Sequence, residues 1–231
     1  MNLFTRLFES VPVAVKESAI DQMAALPALF PEEEALLTRA VLKRRVEFST
    51  GRQLAREALA ELGIAAAPIP ANTDRSPVWP DNVVGAITHC NSWCAAGVAF
   101  KNDIRYLGMD IEEYLLRKMD AGMIDHICVP EERDWLSSYR GDMRRRAAMA
   151  VFSAKEAWYK AGFPTAQTFL DFKGARISFE SFDDHHAIWR GVLLKDWGPF
   201  RSGDSFPFGR SLFDDRYVAS VFIRLNDTPV G

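Results

Sequence analysis

Cysteine is scarce in this chain, with three in 231 residues. Three thiols cannot all pair with one another, so a disulfide-framed secreted scaffold is not expected. Cys90 and Cys94 lack companions at zinc-ligand spacing, and Cys128 carries no nucleophile signature. Long apolar runs are missing too. Stretches such as Ala95 to Phe100 fall far short of the roughly 20 residues a membrane helix needs, so no membrane span is expected. Glu9, Lys16 and Glu17 interrupt the N-terminal stretch, which argues against a signal peptide and for a cytoplasmic protein. No positive excess exists: 28 Lys and Arg stand against 31 Asp and Glu, for a net charge of -3. A nucleic-acid partner is therefore not expected. The chain also has no Walker-type phosphate loop, no G-x-S-x-G elbow, no long-period repeat and no low-complexity segment.

What is present is a sequence able to build a core, at 48% hydrophobic and 26% charged residues. The length suits one large domain or two of about 110 residues. Both sides of Leu107 are close to charge-balanced, and the expected division is residues 1–105 and 106–231. In the first lobe a short strand is expected at Val11 to Val15. A long helix starts at Pro31 with three acids behind it and stops at Gly63. Phe48, Gly51, Ala55, Ala58, Leu59 and Leu62 form its core stripe. A polar loop from Ala67 to Asn82 leads to strands at Val83 to His89 and Cys94 to Phe100. The second lobe has a strand at Tyr106 to Glu112 and helices at about Pro130 to Ser138 and Arg144 to Ala161. A hairpin of Ala175 to Phe179 with Ala187 to Leu194 follows, and a last strand at Arg216 to Leu225. Strands and helices mix without βαβ alternation, which makes the fold class α+β.

Four constellations carry chemistry. In Gly108-Met109-Asp110-Ile111-Glu112, Asp110 and Glu112 share a strand face and repel unless a cation lies between them. An all-oxygen pair suits a hard ion such as Mg²⁺, although two surface carboxylates at a strand end would look the same. Glu113 is expected on the other face, solvated. The second is Phe152-Ser153-Ala154-Lys155-Glu156-Ala157-Trp158-Tyr159-Lys160, where Glu156 and Lys160 stand i,i+4 on an otherwise apolar helix. The third is a basic group, Lys43, Arg44, Arg45, Arg52 and Arg56. Arg45, Arg52 and Arg56 fall on one stripe, with Arg44 nearer the Phe48 face. It is either a solvated surface or a phosphate site. The fourth joins Arg75-Ser76-Pro77-Val78-Trp79-Pro80 to Gly85-Ala86-Ile87-Thr88-His89-Cys90, a hydroxyl and an imidazole at a strand end.

Taken in order, these blocks resemble the Sfp/EntD-type 4′-phosphopantetheinyl transferases over roughly Arg44 to Ala161. The blocks at 108–112 and 152–161 are the most specific. Ala86 and Thr88 stand where many members carry serine. The resemblance implies two similar α/β lobes related by a pseudo-twofold, with coenzyme A in the cleft between them. It implies transfer of phosphopantetheine from coenzyme A to a serine of an apo acyl or peptidyl carrier protein, with release of 3′,5′-ADP and no other subunit required. Asp110, Glu112 and Glu156 would hold Mg²⁺. Arg44, Arg52, Arg75, Thr88 and His89 would hold the nucleotide, with Lys155 and Lys160 near the phosphates. Glu156 would serve as base, metal ligand or both, and Lys160 as proton donor to the departing phosphate. A Mg²⁺-dependent phosphodiesterase and an inactive coenzyme A- or carrier-binding protein are the alternatives. The second would normally show a broken acid or lysine in these blocks, and none is broken here.

Overall fold

The computed structural model describes residues 2–23, 25–114 and 119–226. The chain divides into two units, Met1–Leu107 with Arg224–Gly231, and Gly108–Ile223. Residues Arg224 to Asn226 belong to the first unit. There the Asn226 N–H donates to the Asp103 carbonyl at 3.0 Å.

In the first unit, helix α1 (Leu3–Leu7) precedes strand β1 (Ala14–Ala19), which begins later than expected because Ser10 turns at φ 66°. The expected long helix is interrupted. Helix α2 (Pro31–Glu34) runs into a 3₁₀ turn (Ala35–Leu37), and helix α3 (Leu42–Glu61) starts afresh from an extended Val41. Across the break, the Leu37 carbonyl accepts from the Ala40 N–H at 3.0 Å and from Arg45, which also reaches the Glu34 carboxylate. Strands β2 (Val83–His89) and β3 (Trp93–Phe100) complete an antiparallel sheet of order β1-β3-β2. Helix α3 packs on one face of it. Gly51 makes the closest approach, where an added Cβ would lie 2.9 Å from Ile87. The stripe read from the sequence, Phe48 to Leu59, is buried there.

The second unit holds a five-stranded sheet of order β4-β8-β7-β6-β5, from β4 (Ile104–Glu113), β5 (Ala175–Phe182), β6 (His186–Leu193), β7 (Ser205–Phe213) and β8 (Tyr217–Leu225). Strand β4 begins in the first unit and enters the second at Gly108. Helices α4 (Ala121–Ile127), α5 (Pro130–Ser137) and α6 (Gly141–Ala166) accompany the sheet. Helix α6 is rich in buried alanine, at Ala147, Ala148, Ala150, Ala154, Ala157 and Ala161, so strands can come close to it. At Gly108 the approach is closest: an added Cβ would lie 1.9 Å from the Ala157 carbonyl oxygen and 2.8 Å from the Ala161 nitrogen.

Both clashing atoms belong to helix backbone, which cannot rotate away. Gly108→Ala is therefore expected to cost about 1–3 kcal/mol or more, the range of overpacked cores. Urea unfolding of the variant checks this, and an unchanged midpoint would show that β4 and α6 can part without cost.

Candidate active site

The contact at Gly108 sets two side chains face to face. Asp110 on β4 is 3% exposed, and its Oδ1 accepts from Lys160 Nζ on α6 at 2.6 Å. Its Oδ2 is buried with no hydrogen-bond partner. Burial alone would pull the Lys160 ammonium down. The negative charges of Asp110, Glu156 and Glu112, with the Asp110 hydrogen bond, outweigh it and raise its pKa above the ordinary lysine value. All three carboxylates singled out in the sequence thus act on one ammonium. The i,i+4 pairing of Glu156 with Lys160 is one part of that field, and Asp110 is the stronger partner.

No group of three His, Cys, Asp or Glu side chains is gathered as a metal site among the described residues. The donor chemistry nevertheless fits a hard divalent cation. A buried carboxylate oxygen without a partner is costly unless something binds it, and the two other acids are oxygen donors of the same kind. Glu113 departs from expectation. It is buried, and it accepts from Arg216 Nε at 2.5 Å.

Lys155 is also placed differently from its expected role beside the phosphates. It is 3% exposed, ion-paired to Glu132 Oε2 at 2.7 Å, and it donates to the carbonyls of Ile127 at 2.9 Å and Phe172 at 2.8 Å. Three donors meet three acceptors, so none is left for a phosphate. Burial pushes the Lys155 pKa down and the Glu132 pKa up, and their mutual attraction opposes both shifts. Beside Glu156 opens a mainly apolar groove of about 410 Å³, a volume that includes space open to solvent. Its walls include Tyr159, Phe169, Leu170 and Phe172, and Phe169 stands largely exposed. The sequence reading did not find this groove, because its walls come from segments on either side of the turn at Gln167.

In the first unit the basic group separates into two. Arg45 is taken by Glu34, and Arg56 by Glu33. Arg52 instead sides with Arg44, both guanidinium groups lying over the Phe48 ring at 4.4 and 5.8 Å. This revises the stripe read from helical spacing. Arg44 Nη1 lies 3.3 Å from His89 Nε2, and the other ring nitrogen of His89 faces Glu47 at 3.9 Å. Arg52 is 5% exposed, its Nε has no partner, and its best hydrogen bond is a long 3.4 Å contact to the Pro70 carbonyl. Burial lowers its pKa to about 10. Thr88 does not join this set. It pairs with Ala95 on the face opposite His89 and α3, because neighbours on a strand alternate. Arg75 is exposed in a tight turn at φ 72°, closed by Ser76 N–H to Asp74 Oδ1 at 2.7 Å.

A family model described as the 4′-phosphopantetheinyl transferase N-terminal domain matches residues 32–99, and one described as the 4′-phosphopantetheinyl transferase superfamily matches residues 106–201. The chain belongs to the 4′-phosphopantetheinyl transferase family and is an enzyme of that kind. It is 40% identical over 201 residues to 4′-phosphopantetheinyl transferase Npt of Nocardia iowensis, covering 83% of this chain and 87% of that protein. It is 40% identical over 157 residues to PptT of Mycobacterium tuberculosis, 65% of each chain. Enterobactin synthase component D of Escherichia coli K12 is 34% identical over 155 residues, 64% of this chain and 72% of that one.

The Arg52 geometry yields a test. Its lowered pKa means the fold disfavours the charged form, a penalty present in full below about pH 10 and relieved as pH rises from there toward 12.5. Arg52→Met keeps the stem over Phe48 and removes the charge. The ligand-free variant is expected to melt at or above the wild-type temperature at pH 7. A fall of several degrees would show that the guanidinium is compensated.

Proposed function

We propose that this enzyme transfers the 4′-phosphopantetheine group of coenzyme A to a serine hydroxyl of an apo acyl or peptidyl carrier protein and releases 3′,5′-ADP. Family membership supports the group transferred, and Asp110 is the observation that carries the site. It is buried, holds Lys160 with one oxygen and has the other unengaged, in a field shared with Glu112 and Glu156.

Asp110, Glu112 and Glu156 would hold Mg²⁺. When bound, the ion would neutralise pyrophosphate charge and draw electron density from the reacting phosphorus. The chain's own residues do the rest by placement and charge. The serine oxygen bonds to the β-phosphorus, and the bond from that phosphorus to the bridging oxygen breaks toward 3′,5′-ADP. The serine proton passes to Glu156, directly or through a water. Lys160 Nζ donates to Asp110 Oδ1 at 2.6 Å beside these acids. We assign it to balance the charge gathering on the departing phosphate. The groove beside Glu156 takes the pantetheine arm, whose gem-dimethyl carbons suit its apolar walls.

In the first unit, Arg44, Arg52 and His89 bind the nucleotide phosphates, with Arg75 contributing from its turn. Arg52 supports this most directly, since a buried guanidinium without an acid partner is a ready anion site. Thr88 and Lys155 are left out of the binding set for the reasons of geometry given above. The phosphodiesterase reading is not favoured, because the named relatives are transferases.

Intact-mass analysis of an apo carrier incubated with coenzyme A and Mg²⁺ tests the whole reading. A gain of one phosphopantetheine is expected, and an unchanged carrier with hydrolysed coenzyme A would overturn it. Glu156→Gln keeps the size and removes the charge and the proton acceptor. Loss of a general base alone costs about 10²–10⁴ in rate. The variant should therefore melt near wild type and transfer at least about a hundredfold more slowly. Activity within about threefold of wild type would return Glu156 to a structural ion pair.

A further inference from the structure

Each unit contains the same buried device. In the first, Glu33 lies at the third position of α2 behind Pro31, fully buried, and its Oε2 accepts from the Phe30 N–H at 3.0 Å. Arg56 of α3 donates to both of its oxygens, at 2.8 and 2.9 Å, and Oε1 also accepts from the Ile69 N–H at 2.9 Å. In the second, Glu132 lies at the third position of α5 behind Pro130, 2% exposed, with Oε2 accepting from the Val129 N–H at 2.9 Å. Lys155 of α6 pairs with it at 2.7 Å, and Oε1 accepts from the Ile177 N–H at 2.7 Å. Acid and cation are 23 residues apart in the first unit, and the second repeats that separation.

Neither pair contains a group that the proposed chemistry uses, yet both cations lie on the helices that present it. Arg56 is one helical turn beyond Arg52, and Lys155 immediately precedes Glu156. A buried carboxylate bonded by two backbone N–H groups cannot shift without breaking them. The cation bound to it thus fixes both the rotation and the axial position of its helix. Lys155 further ties α6 to the end of α4 at Ile127 and to the groove wall at Phe172.

We propose that Glu33–Arg56 and Glu132–Lys155 are paired positioning devices with separate outputs. The first aims the coenzyme A-binding arginines, and the second aims Glu156 and Lys160 for the transfer step. This rests on the site assignment above. Lys155 then acts through Glu156, not by touching a phosphate.

The test uses the full-length enzyme with coenzyme A, reading calorimetric Kd, kcat by intact mass of the carrier, and melting temperature. Glu33→Gln/Arg56→Met and Glu132→Gln/Lys155→Met neutralise each pair without leaving a buried lone charge. Glu33→Asp and Glu132→Asp keep the charges and shift each anchor by about one bond length, and serve should a double variant fail to fold. Misplacement of catalytic groups by about 1 Å can cost about a hundredfold. Variants of the first pair are expected to raise Kd for coenzyme A at least about tenfold, with kcat at saturating coenzyme A within about threefold. Variants of the second should lower kcat at least about tenfold with Kd within about threefold. Parallel changes in both pairs, or no change in folded protein, would show a role in stability alone and overturn the proposal. A raised Kd on altering the second pair would mean that Lys155 contacts the phosphates, and would overturn its half. Arg52→Ala separates the two levels. If it leaves Kd unchanged, the nucleotide assignment fails and takes the first device with it. If it raises Kd while Glu33→Asp does not, only the positioning proposal fails.

Discussion

The closeness of α6 to β4 governs the chemistry of the second unit. A hydrogen in place of a side chain at Gly108 lets the Ala157 carbonyl come where a methyl group would lie 1.9 Å away. Only at that separation can a lysine on the helix reach an aspartate two residues along the strand at 2.6 Å. Glycine in the Gly-Met-Asp-Ile-Glu block is thus a spacing element, and the alanines of the Lys-Glu-Ala-Trp-Tyr-Lys-Ala block are its counterpart on the helix. The two blocks are complementary halves of one contact, which explains why small residues and charges alternate within them. Burying Asp110 there strengthens every electrostatic interaction it makes and raises the cost of its unengaged oxygen.

The first unit stores a similar tension in another form. Arg56 and Arg52 are one turn apart on the same helix, yet one is neutralised by a buried acid and the other rests on an aromatic ring with an unpartnered Nε. Stability would favour giving Arg52 an acid of its own, but an acid there would repel a phosphate. The anion site proposed at Arg52 would therefore have to remain undercompensated until it is filled. The same physics acts with reversed sign at Asp110, a buried acid with one oxygen unengaged, where we propose that a cation binds.

Much of this was legible in the sequence where signals are local. The Pro-Glu-Glu start at Pro31 and the stop at Gly63, the strands at β2 and β4, and the helix through 144–161 all follow from caps, breakers and periodicity. Asp110 with Glu112, and Glu156 with Lys160, were singled out because their spacing puts each pair on a shared face. What stayed hidden was decided at a distance. The interruption between α2 and α3 comes with a turn closed at the Leu37 carbonyl and bridged by Arg45, and helical spacing says nothing of that. Short α1 and α4 carry too few turns for a period to show, and β7 is obscured by Pro207 and two glycine-flanked turns. Glu113 read as solvated because strand alternation assigns a face, while its burial depends on Arg216, a hundred residues away.

Lys155 shows most clearly how a motif can mislead about roles while being right about place. A lysine and a glutamate side by side invite a shared function, yet adjacent residues on a helix point about 100° apart. Both border the groove, but the Lys155 ammonium is spent on Glu132 and two carbonyls. Lys155 is buried where Glu156 is only half-buried. An uncharged side chain could fill the volume, but only a charged donor can bind a carboxylate and two carbonyls at once and hold α6 at a fixed rotation. A buried ion pair is a weak source of stability compared with well-packed apolar residues, so its presence in both units at the same separation is better understood as a demand for orientation than for stability.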